Sequence, residues 1–176
     1  ETRGEVHIGE VIEMVMDAFE MVMNQGPLAR EPCIKLKVSL VDTKLHEDAI
    51  HRGPAQVYPA VREAIVEAMK KGGAHLLEPL QVHVIESPNK FLGDITKLVG
   101  GKRGQMLEVS QTESDSEIRA KLPVAEMIGW ASDLRSATEG RGTSSLLDQS
   151  FEKIPVGLQA DVVRKIRDRK GLSENQ

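Results

Sequence analysis

One cysteine, few aromatic residues and no long apolar run set the first limits on this chain of 176 residues. Cys33 has no second cysteine to pair with, so an intrachain disulfide and a cysteine-built zinc site are both excluded. That usage fits a reducing, cytoplasmic setting. Aromatics make up 3% of the chain. Phe19, Tyr58, Phe91, Trp130 and Phe151 are too scattered to form a stacking platform for single-stranded RNA. No apolar run is long enough to cross a bilayer and none has the make-up of a signal peptide, so no membrane partner is expected. The net charge is only −4, which argues against a protein that coats RNA with a uniformly basic surface.

What is present is ordinary in bulk and uneven in detail. Hydrophobic residues are 40% and charged residues 28%, as in globular proteins generally, and the length allows one large domain or two small ones. Glu1, Glu5, Glu10, Glu13, Asp17 and Glu20 make the start acidic, while Arg164, Lys165, Arg167, Arg169 and Lys170 make the end basic. The plain reading is two solvated helix faces, complementary to one another; a nucleic-acid contact at the basic end is the sharper alternative. The chain opens at Glu1, which points to a removed start residue or a piece of something longer.

Hydrophobic spacing outlines the elements. Ile8, Val11, Ile12, Val15, Ala18, Phe19 and Val22 form one helical stripe, ended by Asn24-Gln25-Gly26-Pro27. Ile34, Leu36, Val38 and Leu40 alternate with Lys35, Lys37 and Ser39, which predicts a strand near 34–44. Val57, Val61, Ala64, Ile65 and Ala68 mark a second helix in which Pro59 is tolerable only near the first turn, and Gly72-Gly73 stops it. The loop between is presented on a rigid stand. Beyond Pro79, Leu80, Val82 and Val84 alternate as a strand, and Phe91, Leu92, Ile95 and Leu98 form a helical stripe. Two strands follow through Leu107 and Val109 and through Ile118, Ala120 and Leu122, joined by a hairpin at 112–116. Val124, Met127, Ile128, Ala131 and Leu134 predict one more helix, residues 144–152 a last strand, and 158–169 a final helix.

The expected class is α+β, with two small α/β-sandwich domains. The second is ferredoxin-like in order (βαββαβ), and the final helix packs back on the first. The expected bounds are 1–77, 78–156 and 157–176 for the closing helix and tail.

Residues 44–56, Lys-Leu-His-Glu-Asp-Ala-Ile-His-Arg-Gly-Pro-Ala-Gln, hold most of the chemistry. His46, Asp48 and His51 are of types that suit a divalent metal, but the spacing is not that of a helical HExxH site and no fourth ligand is in view. The loop offers no nucleophile with a partner base, so no catalytic residue is assigned. Gly100-Gly101-Lys102-Arg103-Gly104 and Gly140-Arg141-Gly142-Thr143-Ser144-Ser145 miss the phosphate-loop pattern and read as turns, with a weak signal for phosphate contacts. His75 and His83 read as solvated or structural, Trp130 as a packing residue, and Met14, Met16, Met21 and Met23 as core or a domain contact.

The loop resembles, position by position, the diphthamide signature of the elongation factor 2 family, as Leu45-His46-x-Asp48-x-x-His51-Arg52-Gly53-x-x-Gln56. Gly26-Pro27-Leu28 through Cys33 is similar to the segment leading into the main strand of that family's domain IV. Glu78-Pro79 matches the junction to domain V. Lys102-Arg103-Gly104, Leu122-Pro123-Val124, Asp133-Leu134-Arg135-Ser136 and Arg169-Lys170-Gly171-Leu172 match segments of domain V and its closing helix. The likeness spans essentially the whole chain.

The resemblance implies the C-terminal domains of a ribosomal translocase, which moves tRNA and mRNA at the cost of GTP, with the domain IV tip entering the decoding region. His51 is then the histidine converted to diphthamide, and His46, Asp48, Arg52, Gly53 and Gln56 shape the tip or contact the ribosome. The implied partners are the ribosome and the diphthamide-synthesis enzymes. No cofactor or metal is expected in this fragment, GTP and Mg belonging to a G domain outside it. Many eukaryotic members carry glycines where Pro54 and Ala55 stand, so this loop is the stiffer, archaeal kind. The family's domain IV begins with strands upstream of Glu1. The first sheet is therefore expected to be incomplete, and any oligomer an artefact of truncation. The rivals are a stand-alone RNA-binding protein and a metal-dependent enzyme using His46, Asp48 and His51.

Overall fold

The computed structural model describes residues 8–172, with side chains from residue 9. Glu1 and Glu5 of the acidic start, the side chain of Ile8 and the last four residues of the tail lie outside the described residues. The chain divides into two compact units, one of residues 1–76 with 155–176 and one of residues 77–154.

In the first unit, α1 (Ile8–Asn24) and α2 (Pro54–Lys71) pack against each other. The predicted stripe on α1 is the packed one: Val11, Ala18 and Val22 are buried, Val15 and Phe19 half-buried, and Ile12 is its exposed margin. Val57 and Ile65, eight positions apart and so on one side of α2, are buried in the same way. Tyr58 Oη donates to Asp17 Oδ2 at 3.1 Å between the two helices, and that bond is the main reason the phenol is held above its ordinary pKa. Met16 and Met21 face outward, each more than half exposed, and only Met14 and Met23 turn partly inward.

Past α1 the chain doubles back. Gly26 N–H donates to Glu31 O at 2.9 Å and Cys33 N–H to Met23 O at 2.6 Å. A side chain at Gly26 would meet both Cys33 Sγ and Glu31 O at 2.9 Å, so only glycine fits this turn. The half-buried Cys33 thiol is pushed up in pKa by desolvation. The last helix, α5 (Val156–Arg169), reaches the same turn. Arg167 Nη1 donates to Leu28 O, and Lys170 Nζ donates to Ala29 O and Arg30 O and pairs with Glu31 at 2.7 Å. Part of the basic end is thus spent on carbonyls of this unit rather than left as a solvated face.

Three expectations for this unit need correction. The strand expected near 34–44 is absent: these residues join no ladder, and Ile34, Leu36, Val38 and Leu40 are 39–47% exposed. Alternation marks a strand only where a neighbour supplies the hydrogen bonds. None does among the described residues, and Lys35 at φ 56° interrupts the extended backbone. The described part of the unit is accordingly helical rather than an α/β sandwich. Pro59 is the sixth residue of α2, not a first-turn residue; Pro54 takes that place, after Gly53 as N-cap. The second turn therefore lacks one backbone bond, which packing of Val57 and Ile65 offsets.

The second unit is a four-stranded sheet with two helices. Its elements are β1 (Leu77–Pro88), α3 (Leu92–Gly101), β2 (Gln105–Gln111), β3 (Asp115–Pro123), α4 (Trp130–Ala137) and β4 (Thr143–Lys153). The order across the sheet is β2-β3-β1-β4, with every neighbouring pair antiparallel. Ile85, Ile118, Ala120 and Leu122 share one face with Phe91, Ile95, Val99, Trp130 and Leu134 from the helical segments, and together they make the core.

The alternating apolar residues of β1 do not make its core face. Register with β3 puts His83, Ile85 and Ser87 opposite Ala120, Ile118 and Ser116, on the core side. Leu80, Val82 and Val84 occupy the other face, where Lys121 Nζ pairs with Glu152 at 3.0 Å. Alternation gives the period but not which of two mixed faces the helices cover. A bulge in the pairing with β4 between Val82 and His83 adds to the irregularity. The helix expected from Val124 is broken. A single 3-10 turn covers Val124–Glu126, Gly129 sits at φ 79°, α4 begins only at Trp130, and Ile128 is left 87% exposed.

One directed chain of hydrogen bonds runs through the core face. Trp130 Nε1 donates to Ser144 Oγ at 3.0 Å, Ser144 Oγ lies 2.9 Å from His83 Nδ1, and His83 Nε2 lies 3.1 Å from Gln81 Oε1. Gln81 Oε1 can only accept, so the His83 proton is on Nε2 and the serine hydroxyl donates to Nδ1. Burial lowers the His83 pKa below the ordinary histidine value.

Candidate functional site

The loop at 44–56 is built from the inside outward. Asp48 begins a single 3-10 turn, Ala49–His51, and its Oδ1 accepts the Ile50 N–H at 3.1 Å. The Asp48 N–H in turn donates to His46 Nδ1 at 3.0 Å, so that nitrogen is an acceptor and the ring proton is on Nε2. The His46 and His51 rings meet edge to face with centroids 4.5 Å apart. Both histidines and Ile50 are exposed, and Ile50 is 73% so.

Arg52 lies on the inner side. It is 8% exposed, although its neighbour His51 faces solvent. Nη1 donates to His46 O at 2.8 Å and to Glu47 O at 2.7 Å, while Nε and Nη2 both reach Glu10 Oε2 on α1, at 3.1 and 2.9 Å. One guanidinium thereby satisfies two loop carbonyls and ties the loop to a helix 42 residues earlier. Gly53 then caps α2, and Gln56, exposed in the first turn, donates its N–H to Gly53 O.

The structure therefore gathers His46, Asp48, His51, Arg52 and Gly53 in one turn and separates them by role. His46 and His51 are displayed, Asp48 shapes the turn, Arg52 anchors it and Gly53 starts the next helix. Nothing in the loop sequence marks Arg52 as internal, and Glu10 is read from sequence as one more acidic residue on a solvated face. For a metal, the geometry is poor. His46 Nδ1 and Asp48 Oδ1 already hold backbone N–H groups, and no group of three or more potential ligands occurs among the described residues.

The glycine-rich stretch at 100–104 behaves differently from a phosphate loop. Gly100 and Gly101 are the last residues of α3. Lys102 Nζ donates to Glu126 O and Ile128 O and pairs with Asp133 at 2.8 Å, and Arg103 forks onto Glu78 and reaches Glu126. Both cations hold the turn before α4. No described helix is long and apolar enough to cross a membrane.

Two family models match the chain: elongation factor G, domain IV, over residues 1–73, and elongation factor G C-terminus over residues 75–162. Elongation factor 2 of Nanoarchaeum equitans is 56% identical over 171 residues, which is 97% of this chain and 23% of that protein. The chain belongs to the elongation factor 2 family. Elongation factor 2 of Methanopyrus kandleri is 46% identical over 97% of the chain and 14% of its own length. That of Pyrococcus furiosus is 43% identical over 99% and 24%. These relatives are archaeal, the side to which Pro54 and Ala55 point. The chain spans about a quarter or less of the elongation factors 2 it matches.

Proposed function

We propose that these units are the tip-bearing and closing domains of a ribosomal translocase, and that the 44–56 loop is the part that enters the decoding region during movement of tRNA and mRNA. The observation that carries this reading is the display of His51. It is an exposed imidazole that ends a 3-10 turn, beside loop carbonyls held by Arg52, in a chain of the elongation factor 2 family. His51 is the residue converted to diphthamide, and the enzymes of that synthesis are partners along with the ribosome. The modification lengthens the side chain and adds positive charge, which favours contact with RNA phosphates. His46 and Gln56 lie on the exposed side with it. GTP and Mg act in a separate G domain of the whole protein. The order β2-β3-β1-β4 with two helices on one face supports a ferredoxin-like reading of the second unit.

The test is the mass of the His51 peptide in protein taken from its native cells. Added mass on His51, with His46 and His75 unmodified, is the expected result. A His51 peptide of unmodified mass in all of the protein removes the diphthamide assignment.

A further inference from the structure

We propose that Arg52 is a positioning residue that sets how His51 is presented, rather than a surface cation that touches RNA. The inference rests on the loop being the functional tip. It deepens that reading by dividing two adjacent residues between display and support.

Three observations carry it. First, Arg52 is almost fully withdrawn from solvent, with its side chain 7% exposed, so its charge is not available to a large polyanion without undoing the turn. Second, its donors are directed at the backbone of the residues that orient the histidines. Nη1 holds the carbonyls of His46 and Glu47, and the His46 ring is the one that meets His51 edge to face. Third, the guanidinium is oriented by Glu10 of α1, whose Oε2 accepts two of its N–H groups. The chain of support therefore runs from α1 through Glu10 and Arg52 to the His46 backbone. It continues through the His46 ring, locked by the Asp48 N–H, to His51. Lysine carries the same charge but cannot address two carbonyls and a carboxylate at fixed angles. Arg52→Lys thus separates charge from geometry.

The experiment uses the full chain and two spectroscopic readouts, the contact between the His46 and His51 rings by NMR and the exchange rate of the Asp48 amide. In Arg52→Lys the ring contact is expected to be lost and Asp48 exchange to rise about tenfold, as for one charge-assisted hydrogen bond removed. Tyr58→Phe, which breaks the bond between α1 and α2 away from the loop, is expected to leave both readouts unchanged. Glu10→Gln keeps the fold if Arg52→Lys does not, and is expected to weaken the ring contact in the same direction. Wild-type ring contact and exchange in a folded Arg52→Lys, or in Glu10→Gln where the lysine variant unfolds, would overturn the proposal. Salt dependence of ribosome binding by the whole protein separates the two ideas. A positioning Arg52 leaves the slope of log affinity against log salt unchanged in Arg52→Lys and Arg52→Gln alike. A phosphate contact lowers it by about one only in the glutamine variant. A protein with no ribosome affinity at all defeats the tip reading while leaving the ring contact intact.

Discussion

Ile118→Ala is expected to lower the stability of residues 77–154 by about 2–5 kcal/mol, the range for emptying a buried branched site. Ile118 is fully buried at the centre of β3, opposite Ile85 on β1 and Val109 on β2, and it shares the core with Phe91, Ile95, Val99 and Leu134. Strands on both sides fix the backbone there, so the cavity cannot close by collapse. In a domain of this size each kcal/mol shifts the melting midpoint by about 4–8 °C, which makes the loss large against a total of about 5–15 kcal/mol. Trp130, the sole tryptophan, is buried in the same core and reports its unfolding by fluorescence in denaturant. Ile128→Ala is the control. The same residue type, left 87% exposed by the broken helix, is expected to cost no more than about 0.5 kcal/mol. Equal costs at the two positions would contradict the assignment of the core.

Arg103→Ala is expected to cost about 2–3 kcal/mol, through electrostatics rather than packing. Arg103 follows α3 with φ 54° and forks onto both oxygens of Glu78, at 3.1 and 2.9 Å, while its Nε meets Glu126 at 3.0 Å. The Glu78 bond is the chief reason the guanidinium pKa is raised above its ordinary value. The Glu78 side chain is only 11% exposed, so removing the fork leaves a nearly buried carboxylate without its donors. Breaking a fully buried pair costs about 3–5 kcal/mol, and the cost here falls to about 2–3 kcal/mol because a third of Arg103 is in solvent and that side is screened. Arg103→Lys restores charge without the fork and is expected to recover about half the loss. Exchanging both partners together, as Glu78→Gln with Arg103→Met, is expected to cost less than Arg103→Ala alone. The same denaturation curves read all three variants, and a near-neutral Arg103→Ala would show the pair to be ornamental.

Much of the second unit can be read from residues because its strands are bounded by turn residues and its helices carry a single stripe. Ile118, Ala120 and Leu122 alternate cleanly and are all buried, so β3 is legible; of the α3 stripe, Phe91 and Ile95 are buried and Leu92 and Leu98 half-buried, while the fully buried Val99 lies outside it. The less legible places have physical causes. On β1 both faces carry apolar residues, and His83 and Ser87, which face the core, look polar in isolation. Gly129 ends the run from Val124 with a positive φ, although the apolar spacing continues past it. Ile34 to Leu40 have the period of a strand, but period says nothing of a partner. At the loop, the exposed histidines follow from the surrounding turn residues. The burial of Arg52 does not, because adjacent residues of a tight turn point in different directions and its partner Glu10 is distant in sequence.

The most direct test of the central claim is to place a photo-crosslinking side chain at position 51 of the whole protein and map its targets on translocating ribosomes. Crosslinks to small-subunit RNA of the decoding region, or to the tRNA and mRNA held there, are the expected result. The same group at the exposed Leu147 of β4 is expected to give none of these products. Decoding-region crosslinks from position 147 and none from position 51 would contradict the claim.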